Sequence, residues 1–485
     1  MIDTKTDIPR ANDQKSDGFF ADVLRSLPYT PNEEQTRVIA ALAHFILYSD
    51  ENSVFLLNGY AGTGKTSLTG AVVKALSLQG IKTVLLAPTG RAAMIFSDYA
   101  GHPASTIHRK IYRQDSFMSD GFSLAENKHT HTLFIVDEAS MIANGNNADG
   151  SAAFGSGRLL DDLMSYVYNG AGCRLIMMGD GAQLPPVGQA ESPALSEQVL
   201  QSYRMTVYSL QLTTIARQAA ESGILYNATL LRKAMTDADA DADTIAPPKL
   251  QLDGFADIRR ITGEFLLEEI DSCYSRDGID DTIIITRSNR RATQFNMGVR
   301  NQILYREDEI TSGDLLVVGK NNYFWAKDEK GIDFIANGDI LQVKRVWGQI
   351  EELYGLRFAG VTVSLPDHDN IELDVKIILD SLMSDSPSLS RQQSERLFNE
   401  ALADQEGDKR SRLRVLKQDP YFNALQVKWA YAVTCHKAQG GQWQNVFVDM
   451  GAIAPEALTT LDFHRWLYTA ITRARRRVYL VNSPI

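Results

Sequence analysis

The hydrophobic positions of the chain fall into short continuous runs, each followed by a polar or glycine residue and then by a helix-like pattern. The first four runs cover residues 54–57, 83–87, 133–136 and 174–178. Short apolar runs that alternate with helical segments predict strands that are buried in a parallel α/β sheet. Ligands collect at the carboxyl ends of such strands, so the residues that follow each run are the first candidates for chemistry.

A second series of apolar runs lies at 282–285, 446–448 and 478–480 and predicts a second parallel sheet. Short β-like runs separated by turns fill residues 311–425, where we expect a small all-β insert. Within the insert, segment 387–418 is highly charged with scattered leucines, which predicts exposed helices.

The length of 485 residues is too great for one ordinary domain. We expect a first α/β domain over residues 1–200 and a second α/β domain over 201–310 and 426–485. The all-β insert with its charged helical extension, 311–425, interrupts the second domain.

The first domain also carries a short insert over 109–131 that predicts a β-hairpin. Its Ser-Asp-Gly turn at 119–121 suits a tight reversal and is flanked by Phe117 and Phe122. Two interpretations stay open: the aromatic side chains form an exposed tip, or they fold back on the domain as a small apolar cluster.

Composition excludes some classes of protein. No apolar run of about 18 residues is present, so we expect no membrane-spanning helix, and the polar amino terminus indicates a cytoplasmic protein. Three widely spaced cysteines argue against a disulfide framework or a zinc site. The net charge of −11 is uneven: residues 426–485 carry seven Lys and Arg against three Asp and Glu, which leaves nucleic-acid binding open.

Residues 59–66 match the phosphate-binding loop pattern G-x-x-x-x-G-K-[ST] without a mismatch. Backbone N–H groups of such a loop surround the phosphates of ATP, and Lys65 is expected to reach the β- and γ-phosphates, while Thr66 holds Mg²⁺. The residues expected to bind the nucleotide here are Gly59, Ala61, Gly62, Thr63, Gly64, Lys65, Thr66 and Ser67.

Two further segments follow predicted strands. Asp137 and Glu138 form the carboxylate pair that NTP hydrolysis needs: Asp137 for Mg²⁺ and Glu138 to deprotonate the attacking water. Gln183 lies in the loop 179–187, where an amide can sense the γ-phosphate or bridge to a bound strand. The alternatives are a solvated strand end for the carboxylates and a proline-stiffened loop for Gln183.

Three more side chains are candidates for the nucleotide site. Arg217 and Arg473 can stabilise charge on the transferring phosphoryl group, although each alone is more typical of a surface ion pair. Gln35 can bind an adenine edge through its amide.

Nine segments in this order resemble the motifs of superfamily-1 helicases, and within them the RecD-like and Dda-like group that moves 5′ to 3′. The segments are 30–35, 59–66, 87–93, 105–108, 137–141, 179–187, 212–218, 431–440 and 468–475. The resemblance implies two RecA-like P-loop domains with parallel sheets, a β-hairpin pin in the first and a small Src-homology-3-like β-barrel in the second. It also implies ATP and Mg²⁺ as cofactors.

The resemblance further implies residues that contact single-stranded DNA: Pro88, Thr89, Arg91, Thr106, His108, Thr434, His436 and Lys437. It adds Gly440 to the nucleotide-binding residues, and Phe117 and Phe122 as the strand-separating pin. We expect a monomer that acts on single-stranded DNA and on junctions of single- and double-stranded DNA. No membrane partner is expected, whereas a single-stranded DNA-binding protein or a repair protein is a candidate partner.

Two other functions compete with a helicase. A nucleotide-switched, single-stranded DNA-binding ATPase would share every ATP-site residue but would need no pin. A small-molecule P-loop kinase needs only the phosphate loop, and it leaves residues 434–440 and 468–475 unexplained.

Overall fold

The computed structural model describes residues 14–114, 122–145, 156–215, 221–237, 244–327, 329, 332, 334–451 and 453–485. The chain divides into two compact units. The first covers the chain up to residue 221 except for residues 89–91, which group with residues 222–485 in the second.

The first unit is built on a sheet of six strands. The strands of this unit are β1 (Ser53–Gly59), β2 (Thr83–Ala87), β3 (Ala104–Thr106), β4 (Tyr112–Gln114), β5 (Phe122–Leu124), β6 (Leu133–Val136), β7 (Arg174–Gly179) and β8 (Thr206–Leu212). The sheet has the order β3-β2-β6-β7-β1-β8, and every neighbouring pair is parallel. The predicted parallel α/β sheet is therefore confirmed.

Seven helices accompany these strands in the described residues. They are α1 (Gln14–Ser26), α2 (Glu33–Tyr48), α3 (Lys65–Leu78), α4 (Gly90–Ala100), α5 (Ile107–Ile111), α6 (Leu159–Tyr168) and α7 (Glu197–Ser202). Phe19 of α1, Phe45 of α2, Val72 of α3, Phe55 of β1 and Ile176 of β7 meet in one buried cluster. This cluster supports β1 and α3, which flank the phosphate loop.

The first unit extends further than the sequence predicted. Strand β8 pairs with β1 along its whole length, from Ser53–Thr206 to Gly59–Leu212, so residues 206–212 belong to the first sheet. The predicted boundary after residue 200 placed them in the second domain. Strand β8 lies at the sheet edge and alternates polar with apolar residues, so it shows no continuous apolar run.

The predicted hairpin insert is present. Strands β4 and β5 pair antiparallel, with Tyr112 opposite Leu124 and Gln114 opposite Phe122. Phe117 and the turn at 119–121 lie outside the described residues.

The second unit contains a smaller parallel sheet and a barrel. Its elements are α8 (Gly223–Asp237), β9 (Ile258–Ile261), α9 (Leu266–Asp277), β10 (Thr282–Thr286), α10 (Asn289–Gly298), β11 (Leu315–Val318), β12 (Ile340–Leu353), β13 (Leu356–Leu365), β14 (Ile371–Ile378), α11 (Asp380–Met383), α12 (Arg391–Ala403), α13 (Lys409–Leu416), β15 (Leu425–Trp429), β16 (Ala432–Thr434), α14 (Cys435–Ala438), β17 (Trp443–Asp449), α15 (Leu461–Ile471) and β18 (Ala474–Val481). The sheet has the order β16-β10-β17-β18-β9, all parallel.

Strands β11 to β15 close into a five-stranded barrel, which confirms the predicted β-barrel insert. The last strand extends to Trp429, four residues beyond the predicted end of the insert. Helices α12 and α13 occupy the charged segment, where Leu389 and Leu397 pack against barrel residue Phe358. In the described part of the chain, no helix combines the length and apolar character that crossing a membrane requires.

Candidate nucleotide-binding site

The parallel strands of the first sheet bring three polar segments to one edge. Because all six strands run in the same direction, their carboxyl ends share this edge. Strand β1 ends at Gly59 and leads into the phosphate loop, β6 ends before Asp137, and β7 ends at Gly179 before Gln183.

The phosphate loop has the backbone geometry that its glycines predict. Gly62 and Gly64 have φ values of 76° and 81°, in the left-handed region that favours glycine. Gly64 is the N-cap of α3 and no side chain caps that helix. The N–H groups of the first turn are thus left for an anionic ligand, with the helix dipole favouring negative charge.

Gln35 supports the loop from α2. It is buried, and its Nε2 donates to the Thr63 carbonyl at 2.8 Å. Its Oε1 accepts from Asn32 N at 3.1 Å as part of a capping box at the start of α2. Since both ends of the amide have partners within the protein, Gln35 fixes the loop here, and its contact with adenine stays a prediction.

Lys65 and Thr66 begin α3. The Lys65 ammonium donates to the Gly59 carbonyl at 3.0 Å, which bends the side chain back over the loop. Thr66 is exposed in the first helical turn, where its hydroxyl can meet a ligand.

The carboxylate pair lies in a partly buried and strained segment. Asp137 Oδ1 accepts from Glu138 N at 2.9 Å, and its Oδ2 accepts from the hydroxyl of Tyr99. Burial raises the pKa of Asp137 and Glu138 adds to the rise, while Lys65 and the Tyr99 hydrogen bond oppose it. Glu138 has a φ of 51°, a left-handed conformation that costs a non-glycine residue about 1–3 kcal/mol and that clusters at functional sites.

The sequence did not predict Tyr99. Its ring stacks on Phe96 at 5.2 Å, which matches an ordinary apolar helix face. A buried tyrosine hydroxyl usually has a hydrogen-bond partner. The partner of Tyr99 is Asp137, which follows strand β6, so neither residue spacing nor composition reveals this contact.

Gln183 is buried behind the same edge, with 5% of its surface exposed. Its Oε1 accepts no hydrogen bond from the described residues. Asp180 Oδ1 accepts from Ala182 N at 2.9 Å and orders the loop before it. A buried acceptor without a protein partner fits a ligand or water that brings a donor.

These residues fit Mg²⁺ and a nucleoside triphosphate. The candidate metal ligands are the hydroxyl of exposed Thr66 and the carboxylate of Asp137, at the sheet edge where α3 begins without a side-chain cap. Hard oxygen donors of this kind, few in number, are typical of Mg²⁺ bound together with substrate phosphates.

The structure describes one of the two arginine candidates, Arg473. Arg217 lies outside the described residues. Arg473 is buried in the second unit, where its Nε donates to the Thr469 carbonyl at 3.1 Å and Nη1 lies 3.5 Å from the Gly441 carbonyl. Action on a phosphate would require Arg473 to exchange these carbonyl partners. Its neighbour Arg476 forms a surface ion pair, at 3.3 Å from Asp277.

The predicted strand-contact residues of the first unit follow β2 and β3. Pro88 comes directly after β2, and Thr106 ends β3, where its hydroxyl accepts from Arg109 N at 3.2 Å. Burial lowers the pKa of His108 to about 4, so the imidazole is neutral at pH 7 and can contact a strand through hydrogen bonds only. Thr89 and Arg91 group with the second unit.

The predicted contacts of the second unit follow β16. Thr434 ends that strand, His436 is exposed on α14, and the Lys437 side chain is partly buried. Gly440 has a φ of 74°, so the turn after α14 requires a glycine-like conformation.

These features define a P-loop NTPase. Strand β1 leads through a glycine loop into a helix without a side-chain cap, and a carboxylate follows strand β6 of the same sheet. Two family models match the chain: an AAA domain over residues 30–245 and a UvrD-like helicase C-terminal domain over residues 429–481.

Two helicases have sequences similar to that of this chain. The ATP-dependent RecD2 DNA helicase of Deinococcus radiodurans is 26% identical over 459 residues, which is 93% of this chain and 49% of the relative. The ATP-dependent DNA helicase dda of Enterobacteria phage T4 is 27% identical over 273 residues, 54% of this chain and 55% of the relative. The matched part is about half the length of each of these two relatives.

A crystal structure of the Pif1 helicase from Bacteroides with ADP-AlF3 and single-stranded DNA is 17% identical, covers 94% of this chain and 93% of that one, and has a TM-score of 0.47. The two family models and the sequence relatives are consistent with the resemblance to superfamily-1 helicases of the RecD-like and Dda-like group that the nine ordered motifs indicate.

Proposed function

We propose that the protein is an ATP-dependent DNA helicase that moves 5′ to 3′ on single-stranded DNA and unwinds duplex DNA. One observation carries the proposal. The nucleotide residues follow β1, β6 and β7, and the strand-contact residues follow β2 and β3, along one edge of a single sheet. Asp137 N donates to the carbonyl of Leu86 in β2 at 3.0 Å, so the ATP-site carboxylate and the segment before Pro88 are directly bonded.

The residues of the first unit divide the hydrolysis step among them. Lys65 binds the β- and γ-phosphates in place of its Gly59 carbonyl partner. Glu138 orients and deprotonates the attacking water, and Gln183 senses the γ-phosphate. Thr66 and Asp137 would hold Mg²⁺, which neutralises charge on the phosphate oxygens when bound. Arg217 and Arg473 supply guanidinium groups to the transferring phosphoryl group.

Contacts to the strand are to its backbone. Hydroxyls, a neutral imidazole and lysine hold phosphates and sugars without distinguishing bases, so binding tolerates any sequence and weakens with salt. Phe117 and Phe122 act as the pin that stops the second strand of a duplex from following the first. The β4–β5 pairing supports a rigid base for that pin.

Stimulation of ATPase activity by single-stranded DNA tests the proposal. Because one sheet edge carries both residue sets, saturating oligothymidylate should raise steady-state ATP turnover, and Pro88→Ala with Thr106→Ala should reduce the stimulation more than the basal rate. The exposed Lys233→Ala is a matched control. ATP turnover that is unchanged by saturating DNA would contradict the proposed coupling.

A further inference from the structure

The hairpin of the first unit is held on helix α6 at both of its legs. On the entry leg, Tyr112 begins β4, and its hydroxyl donates to Asp162 Oδ2 at 2.7 Å. On the exit leg, just after β5, Asn127 Nδ2 donates to the carbonyls of Tyr166 at 2.9 Å and Val167 at 3.2 Å. Asp162 lies in the first turn of α6 and the two carbonyls lie in its last turn, so the legs are held at opposite ends of the helix.

The contact on the entry leg is buried. Tyr112 is 7% exposed and Asp162 is 6% exposed, and Asp162 Oδ2 also accepts from Ser156 N at 3.0 Å. Burial of a carboxylate costs free energy unless hydrogen bonds replace its water, so an apolar pair would hold the leg at lower cost. A hydrogen bond depends on direction, which an apolar contact does not, so this pair fixes the orientation of β4.

The contact on the exit leg closes the end of α6. Carbonyls in the last turn of a helix lack their regular helical partner, and Asn127 donates to two of them. Asn127 Oδ1 accepts from His129 N at 3.0 Å, so both ends of the amide are held. A Cβ at Gly170 would lie 2.5 Å from Asn127 Nδ2, so this close approach requires a glycine there.

Helix α6 is itself packed on the first sheet. Leu160, Leu163 and Val167 are fully buried, and the ring of Tyr166 meets Phe134 of β6 edge to face, with 6.0 Å between the centroids. Strand β6 lies inside the sheet, between β2 and β7. A helix packed in this way shares the rigidity of the sheet, and it passes that rigidity to the two legs of the hairpin.

We propose that Asp162 and Asn127 are positioning residues for strand separation, which hold the hairpin at a fixed angle to the sheet, Asp162 through Tyr112 and Asn127 through the end of α6. This inference rests on the proposed function, in which Phe117 and Phe122 form the pin. A functional group acts well only when its neighbours fix its geometry, so a pin that swings with the duplex separates strands poorly. Movement along a single strand meets no duplex and does not need this support.

Two small changes loosen the support. Tyr112→Phe removes the hydroxyl and keeps the ring, whose centroid lies 5.7 Å from that of His108, a predicted strand contact. Asn127→Ala removes both donations to α6. The matched control is Tyr203→Phe, which removes a hydroxyl that donates to Asp161 on the same helix but lies outside the hairpin.

Unwinding and movement along a single strand should respond differently. Strand release from a 5′-tailed duplex in a single turnover should slow about three- to tenfold in each variant, the change in population that loss of one hydrogen bond produces. The rate of movement along end-labelled oligothymidylate, and ATP turnover at saturating oligothymidylate, should equal those of the unaltered chain. Tyr203→Phe should release the strand at the unaltered rate.

Hydrogen exchange measures the support without DNA. In the double variant Tyr112→Phe, Asn127→Ala, the amides of β4 and β5 should exchange faster than in the unaltered chain, whereas those of β6 should keep their exchange rates. A residue with a role in folding alone would instead lower the Tm, strand release and ATP turnover together.

Strand release at the unaltered rate in the double variant would overturn the inference, and so would unchanged exchange of the β4 and β5 amides. Equal loss of strand release and of ATP turnover would overturn it too, since the residues would then serve folding only. If the unaltered chain releases no strand from any tailed duplex, the proposed function fails instead, and hydrogen exchange still decides whether α6 holds the hairpin.

Discussion

The two parallel sheets of the protein follow the same plan but end their strands in opposite ways. In the first sheet, β1 leads into a glycine loop, and α3 begins at Gly64 without a side-chain cap. In the second sheet, β10 leads into Arg287 and Ser288, and the Ser288 hydroxyl accepts from Arg291 N at 3.3 Å at the start of α10. One helix start is left for a phosphate, whereas the other is closed by its own cap.

The acids at the strand ends differ in the same way. Asp449 ends β17, next to β10, and both of its oxygens accept from Arg291 at 2.8 Å. Asp137 follows β6 and has a tyrosine as its side-chain partner, with a pKa raised by burial. A parallel sheet alone therefore does not make a nucleotide site; the uncapped glycine loop and an acid that has no arginine as its hydrogen-bond partner do.

The largest effect is expected from the phosphate loop. Lys65→Ala should lower kcat/KM for ATP by at least about 10²–10³-fold and weaken nucleotide binding too, since the proposed role of the ammonium is to contact phosphates in both ground and transition states. Lys74→Ala, an exposed lysine on the same helix, should leave both unchanged. Steady-state ATPase and nucleotide titration check this. A normal rate in Lys65→Ala would mean that the nucleotide site is elsewhere.

Glu138→Gln should lower kcat by about 10²–10⁴-fold, as expected for loss of a general base, while ATP affinity is kept. The change preserves size and leaves the phosphate contacts in place, so bound ATP should accumulate unhydrolysed. Single-turnover hydrolysis with nucleotide titration measures both quantities. Turnover close to that of the unaltered chain would exclude Glu138 as the base.

The two strand-end acids should respond in opposite ways. Asp449→Asn weakens a bidentate pair with Arg291 and should lower stability by about 1–3 kcal/mol with little change in ATP turnover. Asp137→Asn should lower Mg²⁺-dependent turnover and change stability less, because burial already disfavours its charge. Thermal melts of both variants measure the effect on stability, and ATPase rates measure the effect on turnover. Equal effects on turnover would remove the distinction between the two sheets.

A smaller effect is expected at Tyr99. Its hydrogen bond opposes the rise in the pKa of Asp137, so Tyr99→Phe should raise that pKa further. Since Mg²⁺ binding needs the ionised carboxylate, the acid limb of the ATPase pH profile should move to higher pH, with the rate unchanged at alkaline pH. Tyr203→Phe, which removes a hydrogen bond to Asp161, is the control and should not move the limb. An unmoved limb in Tyr99→Phe would contradict the role of this hydroxyl.

Sequence patterns predicted the parts of the fold that depend on local order. The strands before the phosphate loop and before Asp137 are continuous apolar runs, because the central strands of a parallel sheet are buried on both faces. These strands, and the site residues that follow them, were therefore predictable from the sequence. Edge strand β8 was missed because it alternates, and the domain boundary was placed too early for the same reason. The barrel was predicted from its turns, although its last strand extends to Trp429.

Side-chain partners were harder to predict. Tyr99 reaches Asp137 from 38 positions away. This contact leaves no periodic or compositional trace in the sequence. The roles of Gln35 and Arg473 stay predictions, since the structure describes internal partners for both.

Unwinding of tailed duplexes is the most direct test of the motor. The full chain is mixed with ATP, Mg²⁺ and duplexes that carry a single-stranded tail at either the 5′ or the 3′ end, and strand release is followed by fluorescence. We predict release from the 5′-tailed duplex, none from the 3′-tailed duplex, and none from either with Lys65→Ala. Release from the 3′-tailed duplex alone would contradict the direction, and absence of release from both, with DNA-stimulated ATPase intact, would contradict unwinding itself.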